Sequence, residues 1–301
     1  MPYYGYRAAS ELVAVLPRRA AFALADRVAD VLLATVPNRF DPLRDNLRHV
    51  LPEAGDRELR RVVRRNLRNL TRSWVDVMAI PLDPGATSRR LTESNIHHYT
   101  DAVARGKGVV VVSMHFGAWE EGLAAWNSRD SRLALLAELL RPQKLFEAVA
   151  GARGALGVRV IPIDVEAMRA GDPATARRHG AAAMREVFKH LRSGGAIAMA
   201  IDRDLTGTGV SMPFFGVPAS IPVGVVEVAM RSGAAVVPVV LVRTRKGVLG
   251  EVFPEVEYDP AVPRDPEVRR VVASVLRTFE DMIRRHPDQW HVLDRVWDTS
   301  R

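Results

Sequence analysis

The sequence contains no cysteine in 301 residues. That excludes disulfide staples, thiolate nucleophiles and cysteine-ligated zinc together. Lysine is scarce: Lys107, Lys144, Lys189 and Lys246 are the only four among 43 basic residues, and the rest are arginine. Long apolar runs are missing as well. Uncharged apolar stretches near the start, such as AAFALA at 20–25, fall far short of the roughly 18–20 residues that cross a bilayer. No signal-peptide pattern accompanies it, so any membrane contact is expected to be peripheral. Several catalytic signatures are also absent. There is no G-x-S-x-G elbow, no H-E-x-x-H, no P-loop and no G-x-G-x-x-G, since GARGALG has the wrong spacing. The two histidines of HPDQWH (286–291) have no cluster of acids around them, and no metal site is read.

What is present is a chain of 48% hydrophobic content and net charge +8. It is long enough to bury a large core, and with no repeat or linker it reads as one domain. An excess of arginine follows from a GC-rich genome as readily as from an anionic partner, so placement has to discriminate. The first 80 residues read as a helical layer. SELVAVLPRRAAFALADRVADVLLATV has helical spacing interrupted by Pro17, and DPLRDNLRHVLPEA is a short helix stopped by Pro52. From Asp56, a plausible N-cap, Leu59, Val62, Val63, Leu67, Leu70, Trp74 and Val77 form one apolar stripe. Arg60, Arg64, Arg68 and Arg72 form a row beside Arg61 and Arg65. Like charges four apart repel by a few tenths of a kcal/mol per pair, and acids stand only near the ends of this helix. Two readings follow: a solvated arginine-rich face, or a contact with an anionic membrane surface through Arg60, Arg61, Arg64, Arg65 and Arg68.

From residue 107 the texture changes. Strands are expected at 108–114, 132–139, 158–163, 195–201, 234–242 and 250–258, with helices at 118–127, 143–155, 174–192 and 222–231 and a last one over DPEVRRVVASVLRTFEDMIRR. The apolar runs are nearly continuous, which means strands covered on both faces. The fold class is therefore α/β: a central, largely parallel or mixed sheet flanked by helices on both faces, over residues 107–301.

In such a sheet, ligands bind beyond the carboxyl ends of the strands. In VVVVSMHFGAWEEG (109–122), His115 directly follows a strand, and Gly117 permits a turn into a helix carrying Glu120. Across that turn a carboxylate can fold back onto the imidazole, fix its tautomer and leave the other nitrogen as a base. The H-x4-E spacing alone decides nothing: eight histidines and 35 acids in 301 residues give roughly one match by chance. Position at a strand end carries more weight. A second strand end brings Asp202, Arg203 and Asp204 to the same sheet edge, followed by a loop into PFFG (213–216). Ser113 is expected to be an in-strand residue rather than a nucleophile.

The blocks HFGAWE (115–120), DRDLTGTGVSMPFFGVPASIPVGVVEVA (202–229), SGAAVVPV (232–239) and HPDQWHVLDRVW (286–297) resemble the bacterial lipid A biosynthesis acyltransferase family of the glycerolipid acyltransferase superfamily. The likeness runs from about residue 40 to 298. DRDLTGTGV and the missing N-terminal anchor point to the actinobacterial branch, the phosphatidylinositol mannoside acyltransferases, although those enzymes carry a different acid where this chain has Asp202. The resemblance implies direct acyl transfer from acyl-CoA to a hydroxyl of a membrane glycolipid, with no other cofactor. His115 would be the general base, Glu120 its orienter, and Asp202 a second hydrogen-bond partner of the base or the sugar. Arg153, Arg203 and Asp204 are candidates for holding a phosphate or sugar. Met114, Phe116, Trp119, Phe214 and Phe215 are candidates for the walls of an acyl groove. Backbone amides near Gly117 or at the PFFG turn with Gly216 are candidates for the oxyanion contact. The basic helix would hold the protein at the cytoplasmic face of the plasma membrane. A lipid A precursor or another polar lipid is the alternative acceptor. A third reading is an inactive basic surface protein. The His115/Glu120 pair opposes it, and its nucleic-acid form also lacks the aromatic stacking pattern.

Overall fold

A computed structural model describes residues 3–127, 132–155, 157–170 and 173–297. The N-terminal layer contains α1 (Tyr3–Val15), α2 (Arg18–Thr35), α3 (Asp41–Val50) and α4 (Asp56–Ala79). Pro17 separates the first two because it cannot continue a helix from the preceding turn. Asp56 is the first helical residue of α4, with Gly55 at the cap position. Helix α2 lies close on α4 because Ala21, Ala25 and Ala29 recur every four residues along its buried face. The approach is near enough for Thr71 Oγ1 to donate to the Ala25 carbonyl at 3.0 Å.

That packing corrects the reading of the arginine row. Asp26 and Asp30 are also four apart, so they face the row from α2. Asp30 takes two-pronged bonds from Arg64 (2.7 and 2.7 Å) and Arg68 (3.0 and 2.6 Å), and Asp26 takes one from Arg72 (2.7 and 2.6 Å). Arg65 reaches Asp288 at 3.2 Å. Arg64 first, then Arg68, holds the Asp30 carboxylate well below its usual range. The acids missing from α4 are supplied by its neighbours, and the row is a helix–helix ion ladder. Arg60 and Arg61 are exposed beyond it.

The strands are β1 (Leu91–Ser94), β2 (Val109–Ser113), β3 (Leu133–Glu138), β4 (Arg159–Ile163), β5 (Ala196–Ala200), β6 (Val210–Phe214), β7 (Val217–Ile221), β8 (Ala235–Arg243) and β9 (Val248–Val252). Among the described residues, seven form a sheet of order β1-β9-β8-β2-β5-β3-β4. The run from β8 to β4 is parallel; β9 turns back antiparallel to β8, and β1 lies parallel to β9. Later helices are α5 (Pro84–Arg89), α6 (His97–Ala104), α7 (Trp119–Asn127), α8 (Gln143–Gly154), α9 (Val165–Ala170), α10 (Pro173–Arg192), α11 (Gly224–Ser232) and α12 (Arg264–Arg285).

Both faces are covered, as the continuous apolar runs require. Val110 and Val112 join Ile197, Met199 and Val236 under α10, α11 and α12, while Val109 and Val111 join Ala196, Ala198 and Val237 under α6 and α7. Two local expectations need correction. The strand expected to run to 258 stops at Val252, just before Pro254. From there the chain only brushes β8, through Phe253 N–H to the Pro238 carbonyl and Val256 N–H to the Val236 carbonyl. The segment read as a loop after Asp204 contains the hairpin β6–β7. Its two turn residues, Phe215 (φ 51°) and Gly216 (φ 76°), are both left-handed, as a two-residue turn of this hand demands.

Replacing Asp30 by Asn removes the shared acid of the ladder. Amide hydrogen exchange in α2 should then accelerate about tenfold while α12 is unchanged; unchanged exchange in α2 would show that the ladder does not hold the helix down.

Candidate active site

Strands β2 and β5 are parallel neighbours with Ser113 opposite Ala200. Two residues beyond that pair stand His115 and Asp202, with the same parity and therefore on the same side. His115 Nδ1 is 2.8 Å from Asp202 Oδ1, and the His115 main-chain N–H donates to Asp202 Oδ2 at 2.8 Å. A carboxylate acceptor makes Nδ1 the protonated nitrogen. Nε2 is left without a hydrogen bond among the described residues, on a side chain one quarter exposed. Asp202 is buried, and Trp290 Nε1–H adds a third donor to it at 3.0 Å. Burial pushes its carboxyl up, but the His115 imidazole and the hydrogen bonds outweigh that and hold it below the usual carboxylate range.

A C-terminal segment clamps this corner. His291 N–H donates to the His115 carbonyl at 2.8 Å, Gly117 N–H donates to the Gln289 carbonyl at 2.8 Å, and Phe116 and Trp290 form an antiparallel bridge. The Gln289 amide continues the pattern: its oxygen accepts from Arg243 N–H and its nitrogen donates to the Arg243 carbonyl. Gly117 has φ 60°, and a Cβ there would collide with the Leu241 carbonyl oxygen, so glycine is required. From α4, Asn66 Nδ2 donates to the Trp290 carbonyl at 2.7 Å, and Ser73 Oγ donates to the Gly117 carbonyl at 3.0 Å. With its amide nitrogen so engaged, Asn66 turns its oxygen toward His291 Nδ1 at 3.0 Å, which assigns the proton to Nδ1. His291 Nε2 is buried without a partner among the described residues.

The carboxylate partner of His115 is thus Asp202, and the expectation for Glu120 is corrected. Glu120 points to α8 and forms a buried two-pronged pair with Arg153, whose Nε donates at 2.9 Å. The same pair removes Arg153 as a free phosphate or sugar ligand. Arg203 is paired with Asp294 at 2.7 Å and lines a cleft. Asp204 accepts from Gly207 N–H, Gly209 N–H and the Ser220 hydroxyl, which makes it a staple of its own loop rather than a free ligand. Met114, Phe116 and Phe214 are core residues, whereas Trp119 and Phe215 stay partly exposed. Three of the candidate amides for the oxyanion are engaged: Gly117 N–H as above, Ala118 N–H with the Leu241 carbonyl, and Phe215 N–H with Glu280.

Glu121, the next residue of α7, is 1% exposed. It takes Arg18 at 2.9 Å and Arg90 at 2.7 Å, and Arg18 also reaches Asp76 at 2.7 Å. Burial, then the charge of Asp76, raises the Glu121 carboxyl against the pull of Arg18 and Arg90. Arg243 approaches Asp76 Oδ2 at 2.7 Å without hydrogen-bond alignment and donates to Ser73 Oγ at 2.9 Å. Sequence reasoning passed over Asn66, Ser73 and Asp76. The trace was there, because all three are polar residues among the apolar positions of α4.

Asp202, Arg203, Asp204, Glu138 and Asp294 line a cleft of about 400 Å³ at the carboxyl ends of the strands. Among the described residues no group of three His, Asp or Glu could hold a metal ion. A histidine–carboxylate dyad with a free ring nitrogen beside a polar cleft suits proton removal from a hydroxyl. The family model described as bacterial lipid A biosynthesis acyltransferase matches residues 3–299. The chain belongs to that family. Among curated relatives, the phosphatidylinositol mannoside acyltransferase of Mycobacterium tuberculosis (strain H37Rv) is 27% identical over 77% of this chain and 69% of its own length. That of Mycolicibacterium smegmatis is 26% identical over 97% of this chain and 90% of its own. In this member of an acyltransferase family, His115 stands just beyond the central parallel strand, with the clamp folded against it.

The fold imposes one pH dependence. Burial first, then the guanidinium of Arg243, lowers His291 from 6.5 to about 3. The unfolded chain takes up that proton near 6.5, but the folded one refuses it until about 3. Stability is therefore complete above the upper value and falls as pH drops through the window. Urea midpoints between pH 7 and 4 should decline more steeply for the wild type than for His291→Gln; parallel slopes would remove His291 as the cause.

Proposed function

We propose that the protein is an acyl-CoA-dependent O-acyltransferase that adds a long acyl chain, palmitoyl in the first instance, to a mannose hydroxyl of phosphatidylinositol mannosides. It would act at the cytoplasmic face of the plasma membrane. The observation that carries this reading is the His115–Asp202 dyad, with Nε2 unengaged; the names of the two relatives supply the acceptor class. Nε2 takes the proton of the acceptor hydroxyl as its oxygen attacks the thioester carbonyl. Collapse of the tetrahedral intermediate expels the CoA sulfur, which leaves with the proton from the imidazolium. Asp202 keeps the tautomer and stabilises the imidazolium, a contribution of the kind that removes about 10⁴ in rate when such an acid is neutralised. Glu120 and Arg153 act one step back. Their pair ties α7 to α8, and α7 presents Trp119 edge-on to His115 at 5.9 Å between ring centres. The cleft with Arg203 suits a polar head group.

Membrane contact is reassigned from α4 to the outer face of the first two helices. Leu24, Val28, Val31, Leu32 and Val36 are exposed there, with Leu12 and Val15 of α1. Asp26 and Asp30 turn inward to the ladder, so the charges left on the outer face of α2 are Arg19 and Arg27, with Arg39 just beyond it. An apolar strip edged by Arg19, Arg27 and Arg39, with Glu11 paired to Arg7, matches an anionic lipid surface.

Labelled palmitoyl-CoA and defined mannoside acceptors test the chemistry. His115→Ala should lose about 10²–10⁴-fold in transfer, and Asp202→Asn should lose more than Glu120→Gln. Full transfer by His115→Ala removes the base, and no acylated lipid from the wild type removes the substrate assignment. For the membrane, Leu24→Glu combined with Val28→Glu and Val31→Glu should abolish binding to phosphatidylinositol vesicles while Arg60→Glu with Arg61→Glu leaves it measurable; the opposite result would restore α4 as the contact.

A further inference from the structure

Asp202 has two carboxylate oxygens with different duties. Oδ1 faces the imidazole, and Oδ2 takes two neutral donors, the His115 main-chain N–H and the indole N–H of Trp290. Turning the carboxyl group breaks both bonds at once, and a side chain this deeply buried has little solvent to replace them, so the rotamer that aims Oδ1 at Nδ1 is held from behind. The indole is itself rigidly placed. Trp290 is wholly buried, edge-on to Phe214 at 5.8 Å and to Trp297 at 6.0 Å, and its main chain bridges Phe116.

We propose that Trp290 is a positioning residue of the dyad: its indole N–H locks the carboxylate of Asp202 and, by sharing that charge, limits how strongly Asp202 pulls on the imidazole. The inference rests on the reading of His115 as the base and adds to it what sets the strength of that base. A donor on a carboxylate lowers its proton affinity. Removing the donor while keeping the ring concentrates charge on Asp202, which favours the imidazolium of His115. The other charged groups around the pair are His291 with Arg243 behind it, Arg203 and Asp204 after β5, Glu138 at the end of β3, and Asp294 with Arg295 and Arg169 across the cleft. All are common to the wild type and the variant, so their effects cancel in the comparison.

The test is a titration of ¹³Cε1-labelled histidine by NMR, without substrate, with the His115 resonance among the eight histidines assigned through His115→Gln. Two changes at position 290 are compared: Trp290→Phe, and site-specific exchange of the indole for benzothiophene, which keeps its shape and loses its N–H. Both should move the His115 titration to higher pH by about half a unit or more, and the acidic limb of kcat/KM should move with it. If Trp290→Phe does not fold, the benzothiophene protein decides alone. An unmoved titration with normal folding, or a kcat loss equal at all pH values, overturns the proposal and leaves Trp290 as packing. Because the titration needs no acyl acceptor, its failure is separate from a failure of the acyltransfer reading.

Discussion

The corner where β2 and β5 end is built around one buried anion. Asp202 lies beneath the corner that carries His115 with almost no solvent contact, where an uncompensated carboxylate would cost several kcal/mol. Three donors prevent that: the ring of His115, its main-chain N–H and the indole of Trp290. Each donor constrains a different part of the chain. The main-chain bond needs β2 and β5 to pair in one register, the ring bond fixes a tautomer, and the indole brings the C-terminal clamp onto the turn after β2. The corner is an outcome of satisfying that charge.

A second buried network attaches the N-terminal layer to this core. Asp76 of α4 and Glu121 of α7 share Arg18 from the start of α2, while Arg90 and Arg243 close the outer sides. Buried ion pairs of this kind add little net stability over apolar packing but are strongly destabilising when one partner is lost. Their effect here is to specify a position: α2 can dock in only one place if Arg18 is to reach both acids. Glu120, one residue before Glu121, binds α8 through Arg153. Helix α7 is therefore tied on two sides, directly after the turn that carries His115.

Charge on the outer layer follows from the same geometry. A row of arginines on α4 looks like a uniform cationic face until α2 is laid over it, after which Arg64, Arg68 and Arg72 are paired with Asp26 and Asp30. The helix that supplies those acids is left with an outer face of leucine, valine and arginine. Cation count along a chain overstates an exposed potential when acids four apart on a neighbouring helix offset part of it.

Much of the fold is legible in the sequence. Continuous valine runs cannot sit on a half-exposed sheet, so the sequence by itself determined a two-sided α/β core. It also determined the helices bounded by Pro17 and Pro52, and a histidine at a strand's carboxyl end. What it did not contain was strand order. Glu120 is five residues from His115, and Asp202 is 87 residues away; local spacing favours the first. Only the parallel pairing of β2 with β5 brings the second within 2.8 Å, while α7 carries the first toward Arg153. The clamp residues Gln289, Trp290 and His291 and the polar residues of α4 were hidden for the same reason. Their partners lie far along the chain, and a hydrogen bond's value is set by what packs around it.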